Sequence, residues 1–394
     1  MTMEPVIKKH CVPEGGTGAA DYIIAGAGCA GLSLAMHMAA SGKFSDQKIL
    51  LVDQDGKRSN DRTWCFWEEE SGLFEPVVFR KWNQVEFHGD QFNRQLSLAP
   101  YQYKMIRGID FYNYCLRELS QHKNITICQE KVDAVFSDEK GTGIIVNGEP
   151  VFADHVFNSI LFKKPELKKK DLWLLQHFKG WVIQTKDPVF NIDAATLMDF
   201  RTDQQWGTAF CYVLPFSANR ALIEYTLFSA NKLEPEEYNT GLRTYINEVL
   251  KIPAYEILDE ETGVIPMTNY KFSPGINGII NIGTAGGQTK GSSGYTFHFI
   301  QKHSKFLVEA MIRDGKPSVV KQPSRYHFYD SVLLQILQNN SLPGKSIFTR
   351  LFSRNKTADV LRFLDNESTL REELGIISSL PVLPFTKAAM KHIF

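Results

Sequence analysis

A chain of 394 residues is long enough to bury a substantial core and to support more than one domain. Lys plus Arg and Asp plus Glu each number 44, so no net field of either sign points to nucleic acid or to a strongly acidic partner. The cysteines at 11, 29, 65, 115, 128 and 211 are dispersed and form no CxxC pair, which favours a reduced, cytoplasmic chain over a disulfide framework and leads us to expect no metal.

The N-terminal MTMEPVIKKHCVPEGG lacks an apolar core of signal-peptide length. No later run reaches the roughly 18 apolar residues of a spanning helix, so any membrane contact is expected to be peripheral.

The first readable unit is DYIIAGAGCAGLSLAMHMAASGKFSDQKILLVDQD. Tyr22 to Ala25 reads as a short strand, Gly26, Gly28 and Gly31 stand in GxGxxG spacing, and an apolar helix follows from about Ala30 to Ala40. The first glycine permits a tight turn, the second lets backbone approach a pyrophosphate, and the third lets helix and strand pack closely. Lys48 to Val52 reads as the second strand, and Asp53 ends it at about the spacing expected for a ribose-hydroxyl acceptor. FAD and NAD share this unit, and the glycines alone do not choose between them.

DRTWCFW at 61 to 67 follows that second strand. Arg62 reads either as a residue placed to approach a cofactor or as a structural ion-pair partner. Trp64 and Trp67 read either as aromatic walls for flavin or substrate, with faces that stabilise cations, or as core residues. Arg107 begins a helix after the next strand. KWNQVEFHG, QLSLA, GWVIQTK, AFCYVLPF and ANRALIEYTLF alternate or bunch aromatic and β-branched residues, as strands of a second sheet do.

Two acids stand out in apolar settings. Glu224 lies inside ALIEYTLF, where desolvation would raise a carboxyl pKa and keep it protonated near neutrality. Asp199, in LMDFR, is two residues from Arg201; the two read either as a site pair or as a structural ion pair. Downstream, NIGTAGGQTKGSSGYTFHFIQ brings an apolar strand into Gly283, Ala285, Gly286 and Gly287, with a helical pattern from about Gly294. A second strand-to-helix glycine turn suits an extended cofactor such as FAD. From about Phe299 onward the pattern is helical, with Leu334, Ile336 and Leu337, then Leu361, Phe363 and Leu364.

With both glycine clusters in place, the chain resembles the FAD-dependent lycopene cyclases, especially the bacterial lycopene beta-cyclases. The resemblance rests on the fingerprint together with DRTWCFW, LMDFR, ALIEYTLFS, IPMT at 265 to 268, IGTAGG at 282 to 287, GYTF at 294 to 297 and RFLDNES at 362 to 368. It implies an α/β fold, α+β overall: a Rossmann-like FAD-binding domain, an antiparallel-sheet substrate domain and a helical C-terminal region. The expected segments are 18–75, 105–160 and 270–300 for FAD, 76–104 and 161–269 for substrate, and 301–394 for the helices.

The resemblance further implies cyclisation of lycopene through gamma-carotene to beta-carotene, with reduced FAD in a non-redox role and NAD(P)H as reductant. Gly26, Gly28, Ala30, Gly31, Asp53, Arg62, Arg107, Gly283 and Gly286 are the expected cofactor contacts. Glu224 and Asp199 are the expected acid-base residues, with Trp64, Trp67, Arg201 and Tyr225 at the substrate. Access to a membrane-dissolved polyene implies peripheral association with the inner face of the plasma membrane, through YHFYDSVLLQIL and IFTRLFSRNK. The sequence departs from the family at Tyr225, where many relatives carry a second acid. Thr284 stands where many members of the wider flavoprotein superfamily have an aspartate, and there the cyclases resemble this chain.

Overall fold

The computed structural model describes residues 7–9, 20–318 and 323–393. Residues 18 and 19 of the expected nucleotide-binding segment, and Cys11, lie outside the described residues. Three sheets and a C-terminal set of helices make up the molecule.

The first sheet is built around the strand Ala20–Ala25, which pairs in parallel with Ile49–Asp53 on one side and Glu149–Asn158 on the other. Ile125–Gln129 and Ile279–Asn281 extend it in parallel at its two sides. An antiparallel hairpin, Val132–Asp138 with Gly141–Val146, joins through Glu149–Asn158. Strands buried on both faces read as continuous apolar runs, and ILLVD is one. The glycine turn follows the central strand and opens the helix Cys29–Ser41, whose buried residues run from Ala30 to Met38 between sheet and neighbouring helix. The turn therefore sits at the C-terminal end of the strand flanked by two crossovers, where such sheets bind ligands.

The second sheet has seven strands in the order Glu256–Thr268, Trp173–Gln184, Arg220–Ser229, Thr208–Ser217, Ala195–Asp199, Gln84–Gly89 and Phe92–Ser97. All neighbours are antiparallel except the pair Ala195–Asp199 and Gln84–Gly89. Its two faces bury different things. One packs on the helix Pro235–Thr244 and the π-turn Tyr245–Val249, through Trp181, Cys211, Tyr225, Leu242 and Tyr245. The other carries Phe210, Tyr212, Leu214, Leu222 and Phe228 into the largest core, shared with the C-terminal helices through Val332, Leu334, Phe348, Leu361 and Ile376.

DRTWCFW is itself largely a strand, Thr63–Glu68, in a small third sheet with Gln102–Arg107 and Arg80–Trp82. That sheet joins the two larger ones. The sequence reading did not single out the helix Pro235–Thr244, although its Pro and the reciprocal capping of Glu234 and Glu237 are a readable start signal. Cys29, Cys65, Cys115 and Cys211 are free thiols, whereas Cys128 is disulfide-bonded, a departure from the expected fully reduced chain. Among the described residues no helix is long and apolar enough to cross a membrane, and no cluster of side chains offers a metal site.

Candidate active site

The two glycine turns meet. Gly26 has φ +96° and Gly283 φ +61°, conformations that side chains disfavour. A Cβ on Gly31 would lie 1.9 Å from the Gly26 carbonyl oxygen, and one on Gly283 would lie 2.7 Å from the Ala30 Cβ. Helix, strand and second turn close on one another only because those side chains are missing. A Cβ on Gly28, by contrast, would meet nothing within 4 Å, which leaves backbone facing open space at the start of a helix. That is the cradle a pyrophosphate requires. Asp53 closes it, accepting from the Ala27 N–H at 2.6 Å and pairing with Lys57 at 3.2 Å. A carboxylate has lone pairs to spare for a ribose hydroxyl. Gly286 lies in the short 3-10 turn Gly283–Gly286, against the Asn281 carbonyl.

A cavity of about 560 Å³ lies between the small sheet, the start of the helix Phe297–Asp314 and the second sheet. Arg62, Thr63 and Trp64 line it from one side, Thr284 and Gly294 to Phe297 from another, and Phe178, Tyr212, Leu214, Glu224 and Ile265 from the second sheet. Arg62 also acts electrostatically on Cys29, so it stands near the first turn of the nucleotide helix, with Asp61 as its partner at 2.6 Å. The helix beginning at Phe297 runs 18 residues, and its N-terminal end presents the positive end of the helix dipole beside the cavity.

Glu224 is half-buried, and its accessible surface lies in this cavity. Thr226 donates to its Oε1 at 2.6 Å. Burial first, and a second carboxyl next, push its pKa well above the usual carboxylate value. The second carboxyl is Glu261. In the strand register Tyr212, Glu224, Gly180 and Glu261 form one row across four strands, so both glutamates project on the cavity face, with side-chain-free Gly180 between them. Glu261 is buried, accepts from the Thr63 hydroxyl at 2.8 Å, and is pushed up to about 7, chiefly by burial.

The sequence reading missed Glu261. It sits in LDEETG, an acid run that reads as a solvated face, and Glu256 to Glu260 are indeed exposed. Only the strand pairing shows that one of these acids turns inward.

The remaining expected residues are distributed elsewhere. Asp199 is fully buried on the opposite face of the sheet from Glu224, where it binds Arg201 at 2.6 Å and accepts from the Tyr245 hydroxyl at 2.7 Å. This placement sets the Asp199–Arg201 pair on the face of the sheet away from the cavity. Tyr225 also faces away, against Gly241 of the covering helix, because neighbouring residues on a strand alternate faces. Trp64 lines the cavity and contacts Phe111, Tyr112 and Phe297 edge-on or tilted, whereas Trp67 is a core residue behind the wall, edge-on to Tyr295. Arg107 pairs with Asp110 at 2.6 Å, stacks over Phe79, and lines a separate cavity of about 30 Å³ behind Glu261.

A family model described as lycopene cyclase protein matches residues 21–390. The chain belongs to the lycopene cyclase family. A lycopene beta-cyclase from Pantoea ananas is 25% identical over 256 residues, 63% of this chain and 62% of that protein; one from Pseudescherichia vulneris is 24% identical over 259 residues, with the same coverage. The chain thus spans less than two thirds of the length of these curated relatives. A chloroplastic neoxanthin synthase from Solanum tuberosum is 25% identical, covering 80% of this chain and 65% of its own.

Among solved structures, a flavoprotein/dehydrogenase from Cytophaga hutchinsonii superposes with a TM-score of 0.64 at 10% identity, covering 96% of this chain and 100% of its own. A geranylgeranyl bacteriochlorophyll reductase-like protein from Thermoplasma acidophilum gives 0.58 at 13% identity, covering 95% and 98%. These likenesses place the fold, a Rossmann-like sheet joined to a second, largely antiparallel sheet, as the sequence led us to expect.

Proposed function

We propose that this member of the lycopene cyclase family is a lycopene beta-cyclase. It would close the linear ends of lycopene into beta rings through gamma-carotene, an isomerisation with no net redox change. The observation that carries the reading is Glu224: a carboxyl whose pKa burial raises, at the wall of a cavity lined by Trp64, Phe178, Tyr212, Leu214, Ile265 and Phe297. A hydrocarbon polyene offers nothing to hydrogen-bond, so its site should be apolar and aromatic, with an acid at the reacting end.

In this reading the Glu224 proton goes to the terminal double bond, the ring closes through a carbocation, and a proton leaves the ring carbon. Aromatic side chains of Trp64, Tyr212 and Phe297 in the cavity lining offer cation-stabilising surface. FAD is the proposed cofactor, held by Gly26, Gly28, Gly31, Asp53 and Arg62 on one side and Gly283 to Gly286 on the other. Reduced FAD supplies negative charge beside a developing cation when bound. NAD(P)H is the proposed reductant. Segments 18–75, 105–160 and 270–300 would form the cofactor part and 76–104 and 161–269 the substrate part.

The protein would meet its substrate at the inner face of the plasma membrane. The supporting surface differs from the one expected from sequence: 326–337 and 347–356 are largely buried helices, whereas Leu370, Leu374, Val382, Leu383 and Met390 are exposed on the last two.

The test is anaerobic incubation of the purified protein with lycopene in liposomes and chemically reduced FAD, with chromatography and mass of the pigment. A product isomeric with lycopene and showing ring spectra is expected. A hydrogenated product, or one formed only with oxygen, would replace the reading by a reductase or a monooxygenase.

A further inference from the structure

Tyr225, next to Glu224 on its strand, points away from the cavity. The structure supplies a second carboxyl from another strand. Glu224 and Glu261 stand two strands apart, their Cα atoms separated by about 10 Å from the usual strand spacing, and they converge over Gly180. A Cβ on Gly180 would approach Glu261 Cγ to 3.1 Å and Leu222 Cδ1 to 2.9 Å, so the row closes only over a glycine.

The donors around the pair are assigned on two sides only. Thr226 serves Glu224 Oε1 and Thr63 serves Glu261 Oε2. Among the described residues no N–H or O–H donor reaches buried Glu261 Oε1, and the group beside it is the Glu224 carboxyl. An unpartnered carboxylate oxygen in a buried position is costly, and a proton on Glu224 gives it a partner.

We propose that Glu261 is the positioning residue of this site: it accepts the acid hydrogen of Glu224 above Gly180, so that the two carboxyls share one proton and the Glu224 carboxyl is held at the cavity wall. The role rests on the cyclase reading. When the Glu224 O–H breaks as a C–H forms at the terminal alkene, two facing carboxylates are left beside the carbocation. Their repulsion makes the pair more basic, and the proton released as the ring C–H breaks returns to it. No electron is transferred and the proton count closes. Two like charges that cannot both ionise are the physical arrangement of carboxyl dyads in general.

The groups facing the pair are Tyr212 and Cys65 on the cavity side of Glu224, and Asp61, Asp259, Thr63, Arg107 and Arg220 around Glu261. Lys179 and Glu260, which pair at 2.8 Å, lie on the other face of the sheet.

The experiment is an infrared pH titration of the full chain, without substrate, for the parent, Glu224→Gln, Glu261→Gln and Gly180→Ala, alongside kcat and KM for lycopene. In the parent a carboxylic C=O band should persist above neutrality, and Glu224→Gln should remove it. Glu261→Gln should lower the midpoint of that band by at least one pH unit. It should also reduce kcat at least about tenfold with little change in KM, and move the alkaline limb of the rate profile to lower pH. Gly180→Ala, which separates the carboxyls without removing either, should shift the band in the same direction and guards against a folding defect in Glu261→Gln. An unchanged midpoint in both variants would overturn the pairing. A shifted midpoint in a protein that leaves lycopene unchanged would keep the pair and sink the cyclase reading.

Discussion

Thr63 donates its hydroxyl to Glu261 Oε2 at 2.8 Å. The bond ties the small sheet to the edge strand Glu256–Thr268 of the second sheet, so one sheet orients an acid of the other. Thr63→Val keeps the side-chain bulk and removes the donor. Loss of one hydrogen bond to a buried carboxylate should destabilise the protein by about 1–3 kcal/mol. It should also raise the proton affinity of Glu261, because that bond favours its charged form. Urea denaturation reads the first effect and the infrared midpoint the second.

The raised pKa of Glu261 has a consequence for stability. Its folded pKa, about 7, lies above the ordinary value of 4.5, so the folded state holds a proton that the unfolded chain has released. Stability is therefore lost as pH rises from the unfolded value through about 7, and stays lower above it. Glu261→Gln removes this loss. The difference in unfolding free energy between about pH 5 and about pH 8 should shrink by on the order of 1–3 kcal/mol relative to the parent.

Gly28 and Gly31 should respond differently to alanine. At Gly28 the new Cβ meets no protein atom, so stability should stay within about 0.5 kcal/mol. Flavin retention should nevertheless fall about tenfold or more, since the methyl occupies the approach to the pyrophosphate. At Gly31 the Cβ collides with the Gly26 carbonyl, and both stability and flavin binding should fail. Thermal denaturation paired with flavin fluorescence on gel-filtered protein separates the two. Equal losses of stability in both variants would contradict the assignment of Gly28 to the phosphates.

Asp199 should behave as a structural residue. It receives three hydrogen bonds from the Arg201 side chain, one from the Arg201 N–H and one from Tyr245. Asp199→Ala should destabilise the fold by about 2–4 kcal/mol, the exposed half of Arg201 moderating the effect. For the folded fraction, kcat should change less than about threefold, against about a hundredfold or more for Glu224→Gln. A catalytic loss at Asp199 as large as at Glu224 would contradict its placement on the far face.

Leu374 and Leu383 are 68% and 83% exposed on the last two helices. Leu374→Glu combined with Leu383→Glu should leave thermal stability nearly unchanged, because neither side chain is packed. Cosedimentation with liposomes should drop about tenfold, since two apolar groups are replaced by charges at the lipid boundary. Unaltered cosedimentation would direct the membrane contact to another surface.

The sequence by itself determined the nucleotide unit, the second glycine turn, the helical C-terminal quarter and the prominence of Glu224. Each is written in local code: glycine spacing, apolar period, an acid inside an apolar strand. It left Asp199 and Arg201 as either site or scaffold, and Trp64 and Trp67 as either wall or core, because a residue type in an apolar run does not say which sheet face it takes. Only the tertiary structure decided that Asp199 and Tyr225 lie behind the sheet while Glu224 lies in front, since a one-residue step along a strand reverses the face. It alone brought Glu261 to Glu224 over Gly180, because that meeting depends on the register of three strands whose residues are far apart in the chain.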